Sequence, residues 1–278
     1  MPELTPGKAV ALSARVTRVL APNAGFMTGP GTNSYLIGKR DIAVLDPGPA
    51  LSLHVEALLA AANLQGGRIR WIVLTHTHQD HAPAATELQR RTGAEILGQA
   101  PLEGDPAQAS IGVDRQLAHG NELRSDEFTL RALHTPGHVG NHLCYLLEEE
   151  KLLFSGDHLI NGSTVVIIPP SGSMGDYLRS LEMLSTLDIA AIAPGHGDVI
   201  ENAQALVHYT IQHRLRREQK VLAHLDTHPQ ALAALTPRVY DDVIPALHPV
   251  AQYSLLAHLI KLQDEGRVGE DERGWRLL

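Results

Sequence analysis

A chain of 278 residues is long enough to bury a full core, as one large domain or as one domain with a small appendage, without covalent staples. Its single cysteine, Cys144, excludes an internal disulfide and removes any argument for an oxidising compartment, so a cytoplasmic setting is expected. A formal net charge of -8, from 23 basic and 31 acidic side chains, argues against broad electrostatic capture of nucleic acid and leaves only a local basic strip as a route to it.

From Met1 to Ala14 there is neither a basic start nor a long apolar run, so this segment reads as neither signal peptide nor membrane anchor. Between Val16 and Leu45 short apolar runs alternate with turn residues. Tyr35–Ile37 and Ile42–Leu45, separated by Gly38-Lys39-Arg40-Asp41, predict a β-hairpin. Ahead of it, Ala21 to Gly31 is too rich in Gly and Pro for a regular element and carries Phe26 and Met27 at its tip, which reads as a mobile flap. Residues 53–64 have helical spacing, Ile69–Leu74 is the near-continuous apolar run of a buried strand, and a helix follows from Pro83 to Arg91. Further strands are predicted over 128–133, 142–148 and 152–155, then a helix over Tyr177–Leu187 and a strand at Ile189–Ile192. Strands, hairpins and helices in this order suggest a mixed sheet sandwich with helices outside, an α/β (α+β) fold.

The last third changes character. A long helix is predicted from Ala203 to Leu225, a short one over Pro237–Val243, and a third from Pro249 to Glu265 that stops at Gly266. Arg267–Gly269 and Gly274–Leu277 then bracket an acidic turn as a small hairpin. This order is winged-helix-like and divides the chain into a catalytic domain over 1–202 and a C-terminal domain over 203–278. No internal repeat or low-complexity tract is found.

Sixteen histidines are unusual, and some fall at ligand spacings. Thr75-His76-Thr77-His78-Gln79-Asp80-His81 directly follows the buried strand. Residues two apart in an extended segment point the same way, so His76 and His78 can grip one ion while Asp80 and His81, where the chain turns into a helix, face a second. Four ligands cannot close two sites. Later strand ends supply His138 in His134-Thr135-Pro136-Gly137-His138, Asp157 in Ser155-Gly156-Asp157-His158, and His196 in Pro194-Gly195-His196-Gly197. Each of these alone would read as a turn residue, and the argument rests on their recurrence after strands.

With these residues the sequence resembles the metallo-beta-lactamase superfamily over Val16 to Asn202. The resemblance implies an αββα sandwich with the site along one sheet edge. It implies that His76, His78 and His138 hold one metal, that Asp80, His81 and His196 hold another, and that Asp157 bridges. It is similar in particular to the lactamase-beta-like endoribonuclease branch, through the same turn motifs, His213-Arg214-x-x-Arg217-Glu218 and the winged-helix-like tail. That likeness implies a single-stranded RNA substrate. Two ions of zinc type, with manganese or iron also compatible with nitrogen and oxygen donors, would lower the pKa of a shared water and deliver hydroxide, with Asp80 orienting it and carrying its proton.

Other residues are assigned plainer work. Asp46, in Leu45-Asp46-Pro47-Gly48, is expected to orient a ligand or cap a turn, His142 and His158 to pack or hydrogen-bond behind the ligands, and Cys144 to fill core space. Candidate substrate contacts are Phe26, Met27 and Ile167 as apolar walls, and Arg214 and Arg217, with His213, Arg216 and Lys220, as a phosphate-facing strip. Glu270, Asp271 and Glu272 at the presumed wing tip argue against DNA reading, so the tail is read as a packing or dimerisation element. No membrane partner is expected.

Competing readings differ in class. A true β-lactamase would carry Cys or Ser in place of Asp157. A glyoxalase II-like hydrolase of small esters or thioesters shares the full ligand set, although its basic glutathione-binding residues are not identifiable here. A mono-iron oxygenase needs only His76, His138 and Asp157, and a non-enzymatic binding module would leave seven ligands unexplained.

Overall fold

The computed structural model describes residues 4–278; the first three residues of the segment read as neither signal peptide nor anchor lie outside the described residues. The chain forms two compact units: one takes residues up to 134, 141–163 and 188–203, the other 135–140, 164–187 and 204–278.

The first unit contains two sheets. Strands β1 (Ala9–Ala11), β2 (Val16–Leu20), β3 (Asn33–Ile37), β4 (Asp41–Leu45), β5 (Arg68–Val73), β6 (Glu95–Gly98) and β7 (Arg115–Gln116) lie side by side in chain order. The first four pair antiparallel, including the β3–β4 hairpin expected from the sequence. From β4 onward the pairing is parallel: α1 (Ser52–Leu64) and α2 (Ala84–Thr92) carry the chain back between β4, β5 and β6, and the irregular segment 99–114 does so between β6 and β7. The second sheet takes β8 (Glu122–Arg124), β9 (Thr129–His134), β10 (Leu143–Leu147), β11 (Leu152–Gly156) and β12 (Ala191–Pro194), with β12 parallel to β11 at the edge.

Alternation along the strands sorts side chains into two cores. Tyr35, Ile37, Leu45 and Val73 face the second sheet and meet Leu143, Tyr145, Leu147 and Phe154. Their neighbours Leu36, Val44 and Ile72 point to the opposite face and pack on Val55, Leu58 and Leu88 of the two helices. Both faces of the first sheet are therefore buried, which is why its strands read as unbroken apolar runs.

In the second unit, α3 (Met174–Ser185) begins three residues earlier than the spacing predicted, because Ser173 caps it by accepting from the Asp176 N–H at 3.2 Å. The strand expected at Ile189–Ile192 is shifted to Ala191–Pro194, where it registers with β11 as Leu152 opposite Ala191 and Phe154 opposite Ala193. Helix α4 spans Ala203–His224 and α6 spans His248–Asp264, close to expectation. The short helix is α5, Leu232–Val239, not Pro237–Val243: Pro237 sits inside it, and burial of Leu235 and Val239 four residues apart outweighs the backbone bond the proline forfeits. The hairpin β13 (Val268–Asp271) and β14 (Gly274–Leu277) closes a core of Val221, Leu235, Leu255, Leu259 and Trp275. Among the described residues no helix is long and apolar enough to cross a membrane.

One ion cluster ties α4 to α6. Burial alone would raise the Glu218 carboxyl, but the Lys261 ammonium, which donates to it at 2.7 Å, and the His258 ring, 3.9 Å away, hold it at about 2, against an ordinary value of 4.5. A depressed carboxylate contributes stability that is complete above its unfolded value and is lost as pH falls through the folded one. Urea midpoints recorded from pH 6 to pH 2 should therefore decline below about pH 4.5, and Glu218→Gln should flatten that decline; an unchanged pH profile in the variant would remove the assignment.

Candidate metal centre

The parallel strands of the first unit end in the loops that carry the chemistry. Asp80 and His81 follow β5, Asp157 follows β11 and His196 follows β12. His81 Nε2 lies 3.4 Å from Asp80 Oδ2 and 3.3 Å from Asp157 Oδ1, while His196 Nε2 lies 3.2 and 3.3 Å from the same two oxygens. The two imidazole nitrogens are 3.4 Å apart. Donors bound at about 2.0–2.1 Å in a tetrahedron sit about 3.3–3.4 Å from one another, so five edges of this cluster have the spacing of a ligand set around one zinc-type ion.

Charge balance makes the same demand. Desolvation pushes the Asp80 and Asp157 carboxyls up, but the facing charges and hydrogen bonds of His81 and His196 reverse this and hold both well below the usual range. Desolvation lowers the two imidazoles, and the carboxylates overcome it, raising His81 well above its ordinary value and His196 to about 10. Two partly buried carboxylates that share the same two imidazole partners require positive charge between them, supplied by protons or by a cation.

Asp46 organises the surrounding loop. Fully buried, it accepts from the Thr75 N–H at 2.8 Å, the Thr75 hydroxyl at 2.7 Å and the His81 Nδ1–H at 2.9 Å, which turns His81 Nε2 towards Asp80 and Asp157. Because the Thr75 hydroxyl proton goes to the carboxylate, its oxygen accepts from His76 Nδ1, 3.0 Å away, and His76 Nε2 is left to meet His78 Nδ1 at 3.0 Å. The His76 and His81 rings are 4.3 Å apart, so the second histidine pair lies beside the four-donor cluster. On the far side, His196 Nδ1–H donates to the Gly31 carbonyl at 3.1 Å. Its loop is fastened by Asn33, whose amide donates to the Pro194 and Gly197 carbonyls at 3.0 and 2.8 Å. Gly195 is required by space: a β-carbon there would come within 2.7 Å of the His81 ring and 2.8 Å of Asp157 Oδ1.

The remaining sequence-selected residues divide. His138 belongs to the second unit, where its Nδ1–H donates to the Val166 carbonyl at 2.9 Å. His142, fully buried, accepts the Asp157 N–H at 3.2 Å, and its ring stands 5.8 Å from that of the equally buried His158. Cys144 is buried in β10. Phe26 and Met27 are exposed at 70% and 55%, on the irregular loop expected. Ile167, expected on a pocket wall, is instead fully buried, and Ile168 is the partly exposed member of that loop. Arg214 and Arg217, expected on a solvated phosphate-facing strip, are buried. Arg214 donates to the Val165 carbonyl and stacks over Tyr177, and Arg217 pairs with Asp242 through two 2.8 Å bonds. Thr75, Asn33 and Gly195 carry no ligand chemistry of their own, so nothing in the sequence singles them out; Gly195 stands there only as part of the turn around His196.

Residues 27–196 match the metallo-beta-lactamase superfamily, and residues 232–275 match the beta-lactamase associated winged helix domain. The chain is 33% identical to the beta-lactamase-like protein 2 homolog of Caenorhabditis elegans, over 96% of this chain and 91% of that protein. It is 34% identical to the atrochrysone carboxyl ACP thioesterase of Aspergillus fumigatus, over 77% of this chain and 66% of that one. Among solved structures, a metallo-beta-lactamase family protein from Thermus thermophilus superposes with a TM-score of 0.78 at 24% identity, covering 96% of this chain and 99% of that one.

Two outcomes follow for metal uptake. An ion entering the four-donor cluster must displace the proton that His196 holds up to about pH 10, so uptake at neutral pH should release protons and affinity should weaken as pH falls. Calorimetric titration of zinc in two buffers of different ionisation enthalpy reads this directly, and identical heats would refute it. Asp46→Ala should weaken zinc binding about 10–100-fold in a chelator competition while circular dichroism stays native.

Proposed function

This chain belongs to the metallo-beta-lactamase superfamily, and on that premise we propose that it is a dinuclear metal-dependent hydrolase acting on a small ester or thioester. The observation that carries the reading is the near-tetrahedral spacing of Asp80, His81, Asp157 and His196. In this proposal His76, His78 and His138 hold the first ion, Asp80, His81 and His196 the second, and Asp157 is shared. Imidazole-rich donors favour zinc, and manganese or iron suit the same nitrogen and oxygen set. Bound ions would polarise a substrate carbonyl and make water nucleophilic at neutral pH.

The chain's own residues do the rest. Asp80 keeps its side chain 29% exposed, so its carboxylate is reachable by solvent and by a leaving group, while His81 and His196 hold it ionised. An ionised carboxylate in that position can take a proton from attacking water and return it to the departing thiolate or alkoxide. Asp46 and Asn33 fix the two histidines that set Asp80's surroundings.

Substrate class is argued from two sides. A relative sharing 34% identity is named as a thioesterase, which supports an acyl substrate. Single-stranded RNA is the second reading, supported by the likeness of the turn motifs and of His213-Arg214-x-x-Arg217-Glu218 to the endoribonuclease branch. The guanidinium groups of that motif are engaged inside the second unit, which weakens the RNA reading. Purified protein loaded with zinc should hydrolyse S-acyl thioesters, and Asp80→Asn should lower kcat about 10²–10⁴-fold with fold and metal content measured alongside. Cleavage of single-stranded RNA with inert thioesters would replace the substrate assignment, and full activity in Asp80→Asn would remove the mechanism.

A further inference from the structure

His54 is a fully buried histidine on α1 for which the proposed chemistry has no use. Its Nε2 lies 2.8 Å from the Ser34 hydroxyl oxygen, and that hydroxyl also bonds the backbone carbonyl of Asp46. Proton accounting fixes the direction. A carbonyl can only accept, so the single Ser34 proton goes to Asp46, and the Ser34 oxygen must accept from His54. His54 is therefore the Nε2–H tautomer, and its Nδ1 is a bare acceptor without a partner among the described residues. Burial pushes this imidazole down to about 4, so it is neutral at physiological pH.

Two further contacts place the ring against the same turn. A β-carbon at Gly48 would come within 3.0 Å of the His54 ring, so the ring packs against Gly48, two residues beyond Asp46. Gly48 N–H donates to the His81 carbonyl at 2.8 Å, while the Asp46 carboxylate holds His81 Nδ1 at 2.9 Å. Asp46 itself sits at φ 46°, a left-handed conformation that a residue other than glycine keeps only when its surroundings hold it. An apolar side chain at position 54 would avoid burying a partnerless nitrogen, yet could not donate to Ser34.

We propose that His54 is a positioning residue for the metal centre: donating through Ser34 to the Asp46 carbonyl, it holds the strained Asp46 turn so that the carboxylate orients His81. The chain of bonds runs His54 Nε2–H to Ser34 Oγ, Ser34 O–H to the Asp46 carbonyl, and His81 Nδ1–H to Asp46 Oδ2. Donation by His54 polarises the Ser34 hydroxyl, and the effect reaches His81 through the placement of Asp46, which accepts from both sides. This rests on the reading of Asp80, His81, Asp157 and His196 as ion ligands, and the test separates the two.

The experiment compares the parent with His54→Leu, which fills the space without a donor, and His54→Gln, which keeps an N–H for Ser34. Zinc competition against a chromophoric chelator should show the affinity of the weaker-binding ion falling about tenfold in His54→Leu and returning to within about threefold of the parent in His54→Gln. Urea unfolding of both variants shows whether affinity tracks stability instead. Long-range 1H–15N spectra of histidine-labelled, ion-free protein should show His54 protonated at Nε2, and a His81 Nδ1–H signal that is sharp in the parent and lost to exchange in His54→Leu. A parent that takes up fewer than two ions would overturn the dinuclear reading, while these spectra still decide the role of His54. The proposal is overturned by a proton on His54 Nδ1, by parent-like affinity in His54→Leu, or by equal losses in both variants.

Discussion

A single carboxylate taken completely out of water governs this molecule's site. Asp46 has no solvent exposure, and burying an ionised carboxylate costs on the order of several kcal/mol unless its lone pairs are filled. They are filled by the Thr75 N–H, the Thr75 hydroxyl and the His81 Nδ1–H, and each donor is thereby committed. His81 is left one tautomer, and Thr75, with its proton directed at Asp46, is left only an oxygen to offer His76. One buried charge thus orients one histidine of each pair in the first unit, His81 directly and His76 through Thr75.

That arrangement requires two sheets whose strand ends converge. Parallel pairing of β4 with β5 brings Asp46 beside Thr75, and parallel pairing of β11 with β12 brings Asp157 beside the loop of His196. Leu143 N–H donates to the Thr75 carbonyl at 2.7 Å and the Tyr145 hydroxyl to the Leu74 carbonyl at 2.8 Å, so the second sheet is bonded directly to the loop following β5. Close approach then excludes side chains where loops meet. Gly156 is held at φ 46°, where a β-carbon would come within 2.5 Å of the Thr75 hydroxyl oxygen. The aromatic Tyr35–Phe154 pair, with ring centroids 5.0 Å apart, fills the space between the sheets beneath this edge.

Much of this was legible because the donors stand next to strong local signals. The run Trp71–Leu74 announces a buried strand, and the His76–His81 loop follows it without a break, so placement and chemistry could be read together. Asp46 was legible only as a turn residue with an orienting option, since its partners are 29 and 35 residues away. Gly195 gave no signal beyond its turn, because the need for a glycine there arises from His81 and Asp157, which approach only in the folded chain. Strands β1, β6, β7 and β8 are two to four residues long, too short for alternation to declare itself, and their positions are set by pairing partners. Pro237 misdirected the helix boundary because a proline at the first turn and one tolerated inside a packed helix look alike in one dimension.

The arginine motif shows how a functional pattern can be separated from a packing one by period. Val207, Thr210, Arg214, Arg217 and Val221 are all buried, with Glu218 beside them, and their spacings of three and four residues form one stripe along α4. Arg216 is exposed and Lys220, one turn beyond Arg217, reaches the same Asp242 at 3.5 Å, while Arg214 and Arg217 share a face with the two valines. A cation on the apolar stripe of a helix has to find acceptors inside the protein, and these two find the Val165 carbonyl and Asp242. A phosphate reader would stand on the opposite stripe, where solvent and ligand can reach it. The heptad position of an arginine, more than its membership in a basic run, therefore decides whether it recognises a substrate or holds a domain together.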